Sequence, residues 1–237
     1  MIYPFWKKIA QELTGIFLPD LCLLCDAPLE DQEPYVCTPC WISLPLFPDR
    51  TAQPFRSLRG LLDRLWIGWE YDGRVRRIVH LFKYESRPEL ARLLANEWLK
   101  AIAHPDDLRD FDLLLPVPIH RARRRWRGFN QSERLAIHLS QVLNLPVAVE
   151  EAVRIVNTPS QTLLDRDERW RSVAEAFRIL QPETFRDKRI LMVDDLATSG
   201  ATLHALARRL HDCGAARVAA AVLTSPNTVD SQFQKYA

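Results

Sequence analysis

Ile190-Leu191-Met192-Val193-Asp194-Asp195-Leu196-Ala197-Thr198-Ser199-Gly200-Ala201-Thr202 is the stretch on which the reading of this chain turns. Four apolar residues in succession describe a strand buried on both faces. Two carboxylates follow at once, then a loop of small residues, then a helical pattern from Thr202 to Cys213. Gly214 stands where a left-handed helix cap is favoured. Strand, loop and helix in this order form one unit of a parallel α/β sheet, whose ligands collect at the carboxyl ends of the strands. There Asp194 and Asp195 can accept hydrogen bonds from the vicinal hydroxyls of a sugar. The backbone N–H groups of Ala197 to Ala201, with the Thr198, Ser199 and Thr202 hydroxyls, can cradle a phosphate at the helix N-terminus. Gly200 allows a positive φ and a close approach of backbone to ligand. The plainer alternative is a capped strand–helix turn that binds nothing.

Working outward, the pattern stays that of an α/β domain from about Leu61. Trp66 to Tyr71 alternates as a strand and stops at Asp72-Gly73, a turn signal. Val75 to Lys83 and Pro88 to Ile102 are helical by period. Asp112 to Val117 reads as a short buried strand. Gln131 to Leu143 is again helical, with Leu135, Leu139 and Val142 inward. Val153 to Val156 and Val218 to Leu223 complete the strands. Residues 157 to 172 are polar and without period, a long excursion. Strands alternating with helices imply a largely parallel sheet.

The first part of the chain differs. Phe5, Ile9, Leu13 and Phe17 recur every fourth position over residues 3 to 17, an amphipathic packing helix. Five prolines (Pro19, Pro28, Pro34, Pro39 and Pro45) then punctuate Cys22-x2-Cys25 and Cys37-x2-Cys40. Paired cysteines at two-residue gaps let each pair clamp one metal, and four thiolates complete a tetrahedral zinc site closed to catalysis. Pro48 to Arg56 has the composition of a linker. The organisation expected is an N-terminal helix and zinc module over 1–48, an α/β domain over 49–224 and a polar tail over 225–237.

Arg121, Arg123, Arg124, Arg125 and Arg127 place five arginines in seven residues, although the whole chain carries a formal charge of only +2. Such a loop suits a phosphate-type ligand, either a nucleotide or a single-stranded nucleic acid with Trp126 and Phe129 as stacking surfaces. A solvated basic turn is the bland alternative. No apolar run reaches the 18 or so residues of a spanning helix, so no membrane insertion is expected. The N-terminal residues have the wrong order for a secretory signal, which makes the cytoplasm the default.

Taken together these strings resemble the ComF/GntX-like family, named for competence and DNA utilisation, with a type I phosphoribosyltransferase domain. Besides the acidic signature, the likeness rests on Tyr71-Asp72-Gly73-Arg74-Val75-Arg76, His80-Leu81-Phe82-Lys83-Tyr84 and Pro116-Val117-Pro118. It also rests on Arg127-Gly128-Phe129-Asn130-Gln131-Ser132, Gln161-Thr162-Leu163-Leu164, Arg169 and the four cysteines. Ser199 departs from the Thr of many members, and Ser172 from their Asn.

The resemblance implies a type I phosphoribosyltransferase-like parallel sheet flanked by helices. It implies phosphoribosyl diphosphate, or a nucleotide, held with Mg2+. Asp194 and Asp195 would serve the ribose and the catalysis, and the loop Leu196 to Thr202 the 5′-phosphate. Lys83 and the arginine cluster would contact pyrophosphate or nucleic acid, and residues 157 to 171 would cover the centre. The alternatives are a non-catalytic single-stranded DNA-binding competence factor and a nucleotide sensor. Proteins of the DNA-uptake machinery are the partners the family name suggests.

Overall fold

The computed structural model describes residues 20–30, 33–48, 55–84, 90–102, 104–157, 173 and 175–226. The helix expected over 3–17 and the covering segment after Asn157, with Gln161 to Leu164, Arg169 and Ser172, lie outside the described residues, as does nearly all of the polar tail. The chain divides into two compact units, Met1–Ser43 and Leu44–Ala237.

In the first unit Cys22, Val36 and Cys37 are buried, with Leu23, Leu24, Leu29, Tyr35 and Trp41 packed against them. So small an apolar cluster cannot by itself outweigh the entropy of ordering the segment. Helix α1 (Thr38–Ile42) is a single turn that starts between the second pair of cysteines.

In the second unit β1 (Leu65–Glu70), β2 (Leu113–Pro116), β5 (Arg189–Leu196) and β6 (Arg217–Ser225) form a sheet in the order β1-β6-β5-β2, and every pairing is parallel. The connections carry α2 (Gly73–Tyr84), α3 (Leu90–Ala101), α4 (Arg121–Arg127), α5 (Gln131–Leu143) and α6 (Ala201–Asp212). The central strands need the apolar runs seen in the sequence because both faces are covered. Ile190, Met192, Val218, Ala220 and Val222 join a core that includes Leu203, Leu206 and Leu210 of α6. Trp98 of α3 with Leu135 and Leu139 of α5 lie by Val193, Ala221 and Leu223. Asp112 accepts from the Arg189 backbone N–H and guanidinium, which ties together the amino ends of β2 and β5.

Three expectations are corrected. β3 (Ala152–Arg154) pairs antiparallel with β4 (Phe177–Ile179), outside the parallel sheet. The three-residue β4 gives no periodic signal in the sequence. Val142 is exposed, since the buried row of α5 climbs in steps of four through Leu135, Leu139 and Leu143 and leaves it to one side. Phe55, inside the apparent linker, is fully buried.

Gly68 sits in β1 because nothing larger fits. A Cβ there would come 2.6 Å from Trp98 Cδ1 and 3.0 Å from the Leu223 carbonyl. Trp98 cannot yield, since its Nε1 donates to the Val222 carbonyl at 2.7 Å. Gly68→Ala is expected to cost about 1–3 kcal/mol by overpacking, read as a lower urea midpoint with an unchanged slope.

Candidate functional site

The site is built at the carboxyl end of β5, where three segments far apart in sequence meet. β5 runs beyond Val193 through both aspartates, and Asp194 and Leu196 still register with Val222 and Thr224 of β6. The acids are therefore held by the ladder, not by a loose loop. Asp195 is 7% exposed. Its Oδ2 lies 2.8 Å from Lys83 Nζ, in the last turn of α2. Asp194 takes a 2.8 Å hydrogen bond from the Ser132 hydroxyl at the start of α5, and its Oδ1 also accepts from the Asp195 backbone N–H.

Each donor is placed by its own local chemistry. Asp72 accepts from the N–H groups of Arg74 and Val75 and so caps α2, which carries Lys83. Asn130 caps α5, accepting from the Ser132 N–H at 3.2 Å and donating to the Val117 carbonyl at 3.1 Å. Asn130, Gln131 and Ser132 are all buried. Gln131 Nε2 reaches the Lys83 carbonyl at 3.5 Å. Phe129 packs its ring 5.9 Å from that of Phe82. Phe129 is thus a core residue and not a stacking surface.

Two carboxylates in sequence at a buried strand end repel each other. Burial first, and then the Asp195 charge, pushes the Asp194 carboxyl up to about 7, against the opposing pull of Ser132, Lys83 and the Asp195 N–H. Near neutral pH Asp194 exchanges a proton, while Lys83 balances its neighbour. Lys83, which the resemblance assigns to pyrophosphate or nucleic acid, is paired with Asp195 in this structure.

The loop beyond is shaped by packing from below. Gly200 has φ +73°, and a Cβ there would come 2.9 Å from Phe55 Cγ. Phe55 is the floor under the loop, a role its proline-rich surroundings conceal. The Ala197 N–H donates to the Thr224 carbonyl at 3.1 Å, so it is spent on the sheet and not on a cradle. Buried Thr224 also donates its hydroxyl to the Trp69 carbonyl at 2.8 Å. The Thr198, Ser199 and Thr202 side chains are partly exposed around the first turn of α6, whose leading N–H groups have no carbonyl within the helix to bond.

The arginine cluster is a seven-residue helix, α4, where a loop was expected. His120 caps it by accepting from the Ala122 N–H, and Gly128 ends it at φ +84°. Arg124 pairs with Glu133 at 3.0 Å, and Arg127 donates to Gln131 at 3.1 Å, joining α4 to α5. Arg121 and Arg125 are exposed, and Arg123 is partly buried.

In the other unit, the Sγ atoms of Cys22, Cys25, Cys37 and Cys40 all lie within 4.8 Å of one another, a set that could hold a metal ion. The N–H groups of Leu24 and Cys37 both point at Cys22 Sγ, at 3.4 Å. Burial raises the Cys22 thiol, but the N–H groups of Cys37, Leu24 and Cys25 with the Cys25 side chain outweigh it and bring it down to about 6, whereas the Cys37 and Cys40 thiols are raised. A thiolate is the form that binds a metal. Among the described residues no helix is long and apolar enough to cross a membrane.

A family model described as a phosphoribosyl transferase domain matches residues 130–235. A DNA utilization protein (YhgH) of Salmonella typhimurium is 32% identical over 219 residues, covering 85% of this chain and 95% of that protein. Competence protein F of Haemophilus influenzae is 26% identical over 156 residues, 64% of this chain and 68% of its own. Competence protein ComFC of Bacillus subtilis is 28% identical over 150 residues, 62% of this chain and 58% of its own. With its parallel sheet flanked by helices and its N-terminal cysteine cluster, the chain belongs to the ComF-like family and has the type I phosphoribosyltransferase fold.

Proposed function

We propose that the chain binds phosphoribosyl diphosphate with Mg2+ at the carboxyl end of β5 and transfers the phosphoribosyl group to an acceptor, in the context of DNA uptake or utilisation. The observation that carries this reading is the meeting of Lys83 and Ser132 with both aspartates, each at 2.8 Å, beside the Gly200 loop. A plain strand–helix turn has no use for two adjacent acids held this way.

In the proposed reaction the bond from the anomeric carbon to pyrophosphate breaks and a bond from the acceptor's nucleophilic atom forms. The acceptor's proton leaves to solvent or to the departing pyrophosphate. Asp194 and Asp195 orient the ribose hydroxyls and oppose the positive charge that develops on the ring. Thr198 to Thr202 anchor the 5′-phosphate, and α4 faces the leaving group. Bound Mg2+ supplies charge neutralisation of the pyrophosphate.

The proposal assigns structural Zn2+ to Cys22, Cys25, Cys37 and Cys40. A tetrahedron with Zn–S of about 2.3 Å has sulfur–sulfur edges of about 3.8 Å, and Cys25 and Cys37 stand 3.7 Å apart. Four sulfurs leave no open position for chemistry.

One observation favours a second reading, single-stranded DNA binding: Trp126 on α4 is 72% exposed, between the exposed Arg125 and the partly buried Arg127. Calorimetry separates the two. Phosphoribosyl diphosphate with Mg2+ is expected to bind the wild type at micromolar level. Asp194→Asn/Asp195→Asn should weaken it at least roughly tenfold, since two charge-assisted acceptors are lost, while Trp126→Ala leaves it unchanged. No binding to a folded, zinc-loaded wild type would contradict the proposal, and DNA affinity lost in Trp126→Ala would favour the second reading.

Asp194 accepts most strongly from a sugar hydroxyl when it is ionised, and its carboxyl is pushed up to about 7. Affinity is therefore expected to rise from pH 6 to pH 8, by up to roughly tenfold, following the ionised fraction. The residual binding of Asp194→Asn should lack this component. For the metal, atomic emission is expected to find about one zinc per chain, lost in Cys37→Ser.

A further inference from the structure

Ser132 closes a ring of hydrogen bonds around the strand end that carries the acids. Val117, just past β2, donates its N–H at 2.9 Å to the carbonyl of Val193, the residue before Asp194. Its own carbonyl accepts from Asn130 Nδ2 at 3.1 Å. Asn130 Oδ1 takes the Ser132 N–H at 3.2 Å, and Ser132 Oγ returns to Asp194 Oδ1 at 2.8 Å. Val117, Asn130 and Ser132 are all buried. The place of the hydroxyl relative to β5 is therefore set by the ring, not by the side chain's own freedom.

A serine in the first turn of a helix commonly turns its hydroxyl to nearby backbone groups or to water. Ser132 gives it to a carboxylate 62 positions along the chain. The two donors that reach Asp194, the Ser132 hydroxyl and the Asp195 N–H, fall on the same oxygen, Oδ1. Among the described residues no hydrogen bond falls on Oδ2, and Asp194 is partly exposed. Two bonds on one oxygen fix the carboxyl and direct the other away from α5. Asp195 repeats the pattern, with Lys83 on its Oδ2 alone. An ionised carboxylate accepts through both oxygens, so each acid is held by one and keeps the other for an incoming hydroxyl.

We propose that Ser132 is a positioning residue of the ribose site: it locks Asp194 through Oδ1 so that Oδ2 receives one of the vicinal hydroxyls, and it stays bonded when the ligand is in place. This deepens, and rests on, the phosphoribosyl diphosphate reading above. Its consequence is selectivity. The Ser132 bond is felt by ligands that carry the ribose diol and not by those that offer phosphate alone.

The test is calorimetric titration of ribose 5-phosphate and of inorganic phosphate into the full chain, as wild type and Ser132→Ala. Phosphoribosyl diphosphate with Mg2+ is titrated into the wild type as a reference. Both small probes carry a phosphate for the loop, and only the sugar phosphate reaches Asp194. The ratio of their affinities is expected to fall about tenfold in Ser132→Ala, the size of one charge-assisted hydrogen bond, while the affinity for inorganic phosphate stays unchanged. A merely structural serine would lower the melting temperature and leave the ratio where it was. Should Ser132→Ala fail to fold, Ser132→Cys, which keeps the shape and donates only weakly, is expected to lower the ratio in the same sense. A folded variant with the wild-type ratio would overturn the inference and leave the parent reading standing. So would a wild type that binds phosphoribosyl diphosphate but holds ribose 5-phosphate no more tightly than phosphate. A wild type that binds neither sugar compound would remove both.

Discussion

Two neighbouring carboxylates at the end of a strand buried on both faces are the constraint on which this unit is arranged. Isolated ionised groups there would be severely disfavoured. They are tolerated because Lys83 comes to Asp195 and the Ser132 hydroxyl to Asp194, each at 2.8 Å. Those contacts fix where α2 must end and where α5 must begin. Asp72 and Asn130 set the two helices by capping them, and Gln131 ties one to the other through the Lys83 carbonyl. The compensation of Asp194 is incomplete, which keeps its carboxyl near neutrality, as suits a group awaiting a polar partner.

The rest of the sheet serves this edge. β6 is one of the two inner strands: Thr224 receives the Ala197 N–H on one side and reaches the Trp69 carbonyl on the other, so β1 and the start of the loop share one anchor. Asp112 and Arg189 pin the opposite end of the sheet. Phe55 fills the space beneath Gly200 and leaves the loop a single course. Rigidity at both ends of β5 is what a pre-organised ligand site requires.

Much of this was legible in the sequence because it is carried by contiguous patterns. The run from Ile190 to Gly200 announces strand, acids and loop in one reading. Gln131 to Leu143 is bounded as its period indicates, and the four cysteines declare a possible metal set by spacing alone. What escaped depends on contacts between distant residues. Nothing around Phe55 distinguishes a floor from a linker. Phe129 has the same neighbours whether it stacks on a base or packs on Phe82. The arginines suggest a uniform basic loop until Glu133 and Gln131 are seen to engage two of them and His120 to cap them as a helix. Lys83 was found through family resemblance, yet its partner is an acid 112 positions away in sequence, a pairing no local pattern encodes.

The most direct test of the account is a crystal structure of the full chain with Mg2+ and phosphoribosyl diphosphate. The account predicts the ribose hydroxyls on Asp194 and Asp195, the 5′-phosphate against Thr198 to Thr202, and the diphosphate toward α4. Density for the ligand elsewhere on the molecule, with Asp194 and Asp195 still closed on Ser132 and Lys83 alone, would contradict it.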